Sequence, residues 1–296
     1  MKREQLAGGD LTPPNRFTLD YIPPQGPVAD LVTTFYHFRC DDPLVRDIQP
    51  AAVGHLSLFP YGVGRMTLPQ GGHDASHGVN LLTPFAQAVP FEVDGPFHAI
   101  GAALSPLGWA ALTGLNAQDH ANRLYAAADW LPPAITETGE RLCAAYRQGT
   151  MDAGAIAAEL GQVILAHARL PRPKHLELMA QTGRWLASGL LPDVDDLYAA
   201  SKFSRRQTQR LVQQYFGLSP VALRRKYRAL RAGGMLSQPT LAPEEEAALA
   251  EAFYDQPHMI REIRHFVGRT PARLGDPDSP YLNELIASKN LREIYR

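Results

Sequence analysis

Cysteine is almost missing from this chain of 296 residues: there are two, Cys40 and Cys143, far apart and outside any metal-binding spacing. They build no disulfide framework and point to a reducing compartment. No apolar run approaches the roughly 18–20 residues that span a bilayer, and Met1 to Asp10 hold no apolar signal core. These absences lead us to expect a soluble cytoplasmic protein without a membrane partner. Catalytic signatures are absent as well. There is no phosphate loop, no Gly-x-Ser-x-Gly elbow, no Cys-x-x-Cys and no His-x-His followed by a Glu, so neither an enzyme nor a cofactor is expected. The spacing in His73-Asp-Ala-Ser-His77 would join two ligands on a helix. Gly71, Gly72 and Gly78 surround it, so a loop with surface histidines is the better reading, and no metal is expected.

What the chain has is a repeat. Residues 203–220, FSRRQTQRLVQQYFGLSP, and residues 254–271, YDQPHMIREIRHFVGRTP, lie 51 positions apart with the same punctuation. An aromatic falls on an aromatic, Ser204 on Asp255, Arg210 on Arg261, Gly217 on Gly268, and Ser219-Pro220 on Thr270-Pro271. Ser204 and Asp255 suit the N-cap, where a side-chain oxygen accepts from first-turn N–H groups. Gly217 and Gly268 suit a left-handed helix end. Ser219 and Thr270 then cap a following helix, with proline at its first position. Thr208, Leu211, Val212, Tyr215 and Phe216 form an apolar stripe at helical spacing, repeated by Met259, Ile263, Phe266 and Val267. The opposite face of the first copy carries Arg205, Arg206, Gln209, Arg210 and Gln213. A duplicated helix with a basic outer face suits an object met twice, such as successive major grooves of double-stranded DNA.

The net charge of −1 conceals an asymmetry. Residues 1–173 carry 11 Lys/Arg against 16 Asp/Glu, whereas 174–236 carry 11 against 4 and 237–296 carry 7 against 10. An acidic half joined to a basic stretch fits a regulatory part attached to a nucleic-acid-binding part. The organisation along the chain supports that division. Residues 1–16 read as a loose arm. Residues 17–170 read as a sensor or regulatory domain: short apolar runs at 17–22, 33–39, 53–59, 65–68, 79–83, 89–93 and 98–104 read as strands of a small sheet or barrel, and helical runs follow near 106–114, 132–148 and 152–168. Pro171-Arg-Pro173 reads as a stiff linker. Beyond it the pattern is helical throughout: a helix from near His175, a short one at 195–201, the first duplicated helix, a long basic helix at 220–236, and one opening at Pro243. A tail helix is expected within 275–296. The fold class is α+β, a sheet domain followed by an all-α one. His55, Phe59, Tyr61, His98 and Trp109 lie on or beside the strands and are candidate pocket residues, although ordinary core positions explain them as well.

A short helix, a tight turn and a capped second helix make a helix-turn-helix. Two such units joined by one long helix resemble the DNA-binding domain of the AraC/XylS family of bacterial transcription regulators. The resemblance covers about 174–274 and rests on Asp196 to Leu211 with Gly217-Leu-Ser-Pro220, and on Ala248 to Glu262 with Gly268-Arg-Thr-Pro271. It implies two recognition helices in successive major-groove faces of promoter DNA. The base-reading positions would be Arg206, Gln209 and Arg210, with Arg205 and Gln213 nearby, then Gln256, His258 and Arg261, with Arg264 available for phosphate. Arginine reads guanine and glutamine adenine through paired hydrogen bonds. It further implies a small-molecule effector, a homodimer and, for an activator, RNA polymerase as partners. The second copy departs from the family pattern: Ala252 replaces a glycine, Ile263 an aromatic, and Glu262 stands where the first copy has Leu211. The first unit is therefore expected to supply most of the sequence-specific energy. A rival reading stays open, a ligand-binding or protein-interaction module whose DNA binding is weakened or lost.

Overall fold

A computed structural model describes residues 12, 16–238, 240–271 and 274. The expected arm and tail helix fall almost wholly outside them. Among the described residues, eight strands form one antiparallel sheet: β1 (Phe17–Ile22), β2 (Val32–Cys40), β3 (Leu44–Gln49), β4 (His55–Thr67), β5 (His73–Ala75), β6 (Val79–Leu82), β7 (Val89–Leu104) and β8 (Leu124–Ala126). The strand order is β1-β2-β7-β4-β6-β8, with β3 paired to β7 and β5 to β4. Helices α1 (Pro106–Thr113), α2 (Pro133–Arg147) and α3 (Ala153–His167) lie where helical runs are expected, with β8 between α1 and α2. The remaining chain is helical: α4 (Pro173–Ala187), α5 (Val194–Ala200), α6 (Arg205–Phe216), α7 (Pro220–Leu236), α8 (Pro243–Ala252) and α9 (Gln256–Val267).

Two expected strand breaks do not occur. The runs at 53–59 and 65–68 belong to the single strand β4, and those at 89–93 and 98–104 to the single strand β7. The Gly and Pro residues between them bend these long strands without ending them. In β4 the pairing with β7 slips between Leu58 and Tyr61, around Pro60, which has no N–H to give the ladder. The expected loop at 73–77 begins with strand β5, and His73 and His77 are exposed. Strands β3 and β8 were not anticipated; their segments lack the alternating apolar pattern.

Period-two alternation divides the sheet into two working faces. Ile100, Ala102 and Leu104 of β7, with Leu56 and Leu58 of β4, pack into one core with Trp109 of α1, Ile135 and Leu142 of α2, and Ile156, Leu160 and Ile164 of α3. The intervening Phe97, Ala99 and Ala103, with His55 and Phe59, face a cavity on the other side. The helices thus close one face of the sheet, and the cavity lies against the other.

A second core holds α4 to α9 together. Leu211, Val212, Tyr215 and Phe216 of α6 and Ile263, Phe266 and Val267 of α9 pack around Leu223, Tyr227 and Leu230 of α7. Burying each of these leucines contributes roughly 1.5–3 kcal/mol. Ala51 of the sheet region belongs to this core, and Leu107 and Ala110 of α1 pack against it, so the helical part is seated on the sheet part.

Candidate nucleic-acid interface

The two duplicated helices are built alike. The Ser204 side chain accepts from the N–H of Gln207 at 3.3 Å, and Asp255 from that of His258 at 2.6 Å. Gly217 and Gly268 end the helices at φ of 78° and 89°, a conformation a Cβ disfavours. Ser219 caps α7 through the N–H of Ala222. The likeness extends to a feature without a sequence signal. The N–H of Ala117, beyond α1, donates to the carbonyl of Gln214 at 2.8 Å. The N–H of Ala88 donates to the carbonyl of His265 at 2.9 Å, and that of Ala51 to Phe266 at 2.7 Å. Gln214 and His265 occupy equivalent repeat positions. In each unit the N-terminal half of the protein satisfies last-turn carbonyls that a helix leaves orphaned, and each helix has its N-terminal end away from that dock.

The outer faces differ. On α6, Arg205, Arg206, Gln209 and Arg210 are exposed and Gln213 is half-buried. Arg205 pairs with Asp195 at 2.9 Å and stacks over Tyr198 at 4.3 Å, while Arg206 and Arg210 are ion-paired to no described residue. On α9, Gln256, Arg261 and Arg264 are exposed. His258 is half-buried, with Nε2 3.4 Å from Glu262 Oε1 and its ring edge-on to Phe253 at 6.1 Å. Its Nδ1 is buried without a hydrogen-bond partner among the described residues. The imidazole is turned inward, away from the face that carries Gln256 and Arg261.

Glu262 explains that turn and the departure from the apolar pattern. Its side chain is 2% exposed and accepts from Arg228 Nε and Nη2 at 3.0 and 2.5 Å and from Arg225 Nε at 2.5 Å. Both arginines belong to α7. The linker helix directs its other cations inward too: Arg224 donates to the carbonyl of Pro192, Arg231 to that of Gly189, and Lys226 to those of Ala52 and Phe85 at 3.0 and 3.1 Å. Five of the eleven basic residues in 174–236 are therefore engaged within the protein, with Arg225 still half exposed. The basic surplus read from the sequence overstates the charge available to a polyanion.

Behind this interface lies a cavity of about 130 Å³, largely apolar, between the sheet and α7. His55, Phe59, Tyr36 and Gln49 line it, with Leu230 contributed by α7. Burial holds the His55 imidazole neutral, its pKa lowered to about 4, with nearby Lys226 adding to the effect. Burial pushes the Tyr36 phenol up to about 12, and its hydroxyl lies 2.6 Å from Ser57 Oγ. Of the five sequence candidates, His55 and Phe59 meet here. Tyr61 and His98 meet elsewhere, ring to ring at 5.1 Å beside Tyr146 of α2. The slip at Pro60 moves Tyr61 to the face that His98 shares with Ile100, because one extra residue inverts the alternation. Trp109 is buried in the core under α1, its Nε1–H donating to the carbonyl of Leu115 at 3.2 Å.

Residues 197–276 match the family model of a helix-turn-helix domain, of the AraC type. These residues, α5 to α9 and the turns between them, form a helix-turn-helix domain. The solved structure of ToxT from Vibrio cholerae is similar over 92% of this chain and 99% of that chain, with 9% identity and a TM-score of 0.47. No curated protein matches the chain. Among the described residues, no helix is long and apolar enough to cross a membrane.

Proposed function

We propose that the AraC-type domain, taken as residues 174–274, places α6 and α9 in successive major-groove faces of promoter DNA, about one helical turn or ~34 Å apart. Residues 17–170 form a sensor whose cavity receives a small-molecule effector. One observation carries this reading: both capped helices are held by their C-terminal ends, while Arg206, Gln209 and Arg210, and Gln256 and Arg261, stay exposed. Recognition helices read bases with their N-terminal residues. Contacts from Arg205, Gln213 and Arg264 serve register more than sequence. Effector binding shifts the population of the DNA-competent arrangement. The protein acts in the cytoplasm without catalysing a reaction, and a homodimer contacting RNA polymerase is the form in which it would activate.

A gel shift on the DNA upstream of the chain's own coding region tests this. Specific binding whose affinity falls steeply with salt is the expected result. Absence of binding at low salt would favour a second reading, an interaction module with weakened DNA binding. The inward-turned His258 and the internally engaged cations of α7 favour that alternative.

A further inference from the structure

Between the cavity and the DNA-binding helices runs one stretch of chain, residues 47–53, beside which Leu230 of α7 reaches the cavity directly. On its inner side Gln49, Ala51, Ala52 and Val53 line the cavity. On its outer side it makes bonds to two helices of the DNA-binding part. Asp47, 3% exposed, accepts from Arg269 Nη2 at 2.5 Å just beyond the end of α9. The N–H of Ala51 donates to Phe266 of α9, and the carbonyl of Ala52 accepts from Lys226 of α7. One turn after Lys226, Leu230 enters the cavity itself. Gly268 packs so closely on Ile48 that a Cβ would stand 2.4 Å from its Cγ2. The wall has no slack on its outer side, so a molecule that displaces its inner side displaces α7 and α9.

The lining also restricts what enters. Among the described residues, Arg65 is the one charged side chain in it. That guanidinium is largely exposed at the rim and pairs with Glu92 at 2.8 Å. His55 is neutral, and Tyr36 and Gln49 are neutral hydrogen-bonding groups. Lys226, the buried cation near His55, turns its Nζ to the carbonyls of Ala52 and Phe85 and is not in the lining, so a carboxylate inside would lose its water without gaining a direct cationic partner. An uncharged molecule with one hydrogen-bonding group is suited to these partners. In size, an apolar cavity of roughly 150 Å³ takes up benzene, so the space fits a single substituted ring.

Building on the proposed effector site, we infer that the cavity binds an uncharged, ring-sized, largely apolar molecule with one hydroxyl- or N–H-type group, and that occupancy is transmitted through residues 47–53 to α7 and α9, with α6 affected less.

The probes are 4-fluorophenol and its anionic counterpart 4-fluorobenzoate, followed by fluorine NMR on the full chain. Cavity-filling variants Ala99→Leu and Ala103→Leu serve as blocks, and circular dichroism identifies those that fold. Leu230→Ala, which enlarges the space, is a third variant. Expected is saturable binding of 4-fluorophenol, about tenfold weaker binding of the anion, loss of binding in folded filled variants, and altered affinity in Leu230→Ala. Hydrogen exchange should show the Ala51 amide and the α9 amides changing protection with 4-fluorophenol, more than those of α6. In Asp47→Asn the probe should still bind while the response in α9 shrinks. Equal or tighter binding of the anion overturns the ligand class and leaves the effector site standing. Binding with no exchange response in α9, or an undiminished one in Asp47→Asn, overturns the transmission route alone. No binding of either probe, or binding unaltered by any of the three variants, overturns the cavity as the effector site.

Discussion

The two helix-turn-helix units share a scaffold and differ in how they use it. Each has its N-cap, its left-handed glycine and a last-turn carbonyl capped from the sheet side, at Gln214 in one and His265 in the other. In the first unit an apolar Leu211 fills the core, and the arginines of α6 stay outside. In the second a buried Glu262 takes that place, draws Arg225 and Arg228 from the linker helix and turns His258 inward. The same backbone device supports an exposed basic surface in one unit and a charged internal clasp in the other. Similarity of capping therefore says that two helices are held alike, and leaves open what each presents.

The largest expected effect breaks the comparison at its centre. Glu262→Leu copies the first unit into the second and leaves Arg228, 7% exposed, without its carboxylate. Losing one partner of a buried ion pair costs about 3–5 kcal/mol, measurable by urea denaturation; a loss below about 1 kcal/mol would show that the clasp is dispensable.

Acid is expected to act through the sheet half. The folded pKa of His55 is about 4, below the ordinary 6.5. The unfolded chain therefore takes up a proton that the folded chain refuses, and stability present above pH 6.5 is lost as pH falls toward 4. The full loss is about 3 kcal/mol. Denaturation at pH 7 and pH 4.5 should show most of it, and His55→Gln should remove that part of the pH dependence. An unchanged slope in the variant would assign the loss to other groups.

The glycines sharpen the contrast between docks. Both have positive φ, but a Cβ at Gly268 would meet Ile48 at 2.4 Å, whereas one at Gly217 would stand 3.3 Å from the Ala117 carbonyl oxygen. Gly217→Ala should cost about 1–2 kcal/mol for the left-handed backbone. Gly268→Ala adds overpacking and should reach about 2–4 kcal/mol. Equal costs by thermal denaturation would mean that Ile48 yields easily.

Much of this was legible in the sequence, and the unread part has physical causes. The caps at Ser204, Asp255 and Ser219 and the ends at Gly217 and Gly268 are local, and local chemistry determines them. Strands β4 and β7 each look like two runs in the sequence because Pro60 and Gly95-Pro96 resemble breaks when partner strands are out of view. Tyr61 was grouped with His55 because the slip at Pro60 reverses its facing, and slips depend on pairing. The cavity wall at Gln49 to Val53 and Leu230 from α7 carry no motif and meet only through the tertiary fold. Charge counts failed most, since Arg225, Lys226 and Arg228 add to a basic surplus while bonding inward.

The central claim is that the first unit reads bases and the second mainly positions the protein. Arg206→Ala, Arg210→Ala and Arg261→Ala, titrated in gel shifts at one fixed salt against the operator and its single-base variants, test it directly. The account predicts losses of about 1–3 kcal/mol for Arg206 and Arg210, with relaxed preference at the bases they read. It predicts a smaller loss for Arg261, uniform across operator variants. Equal losses with equal relaxation of sequence preference would contradict it.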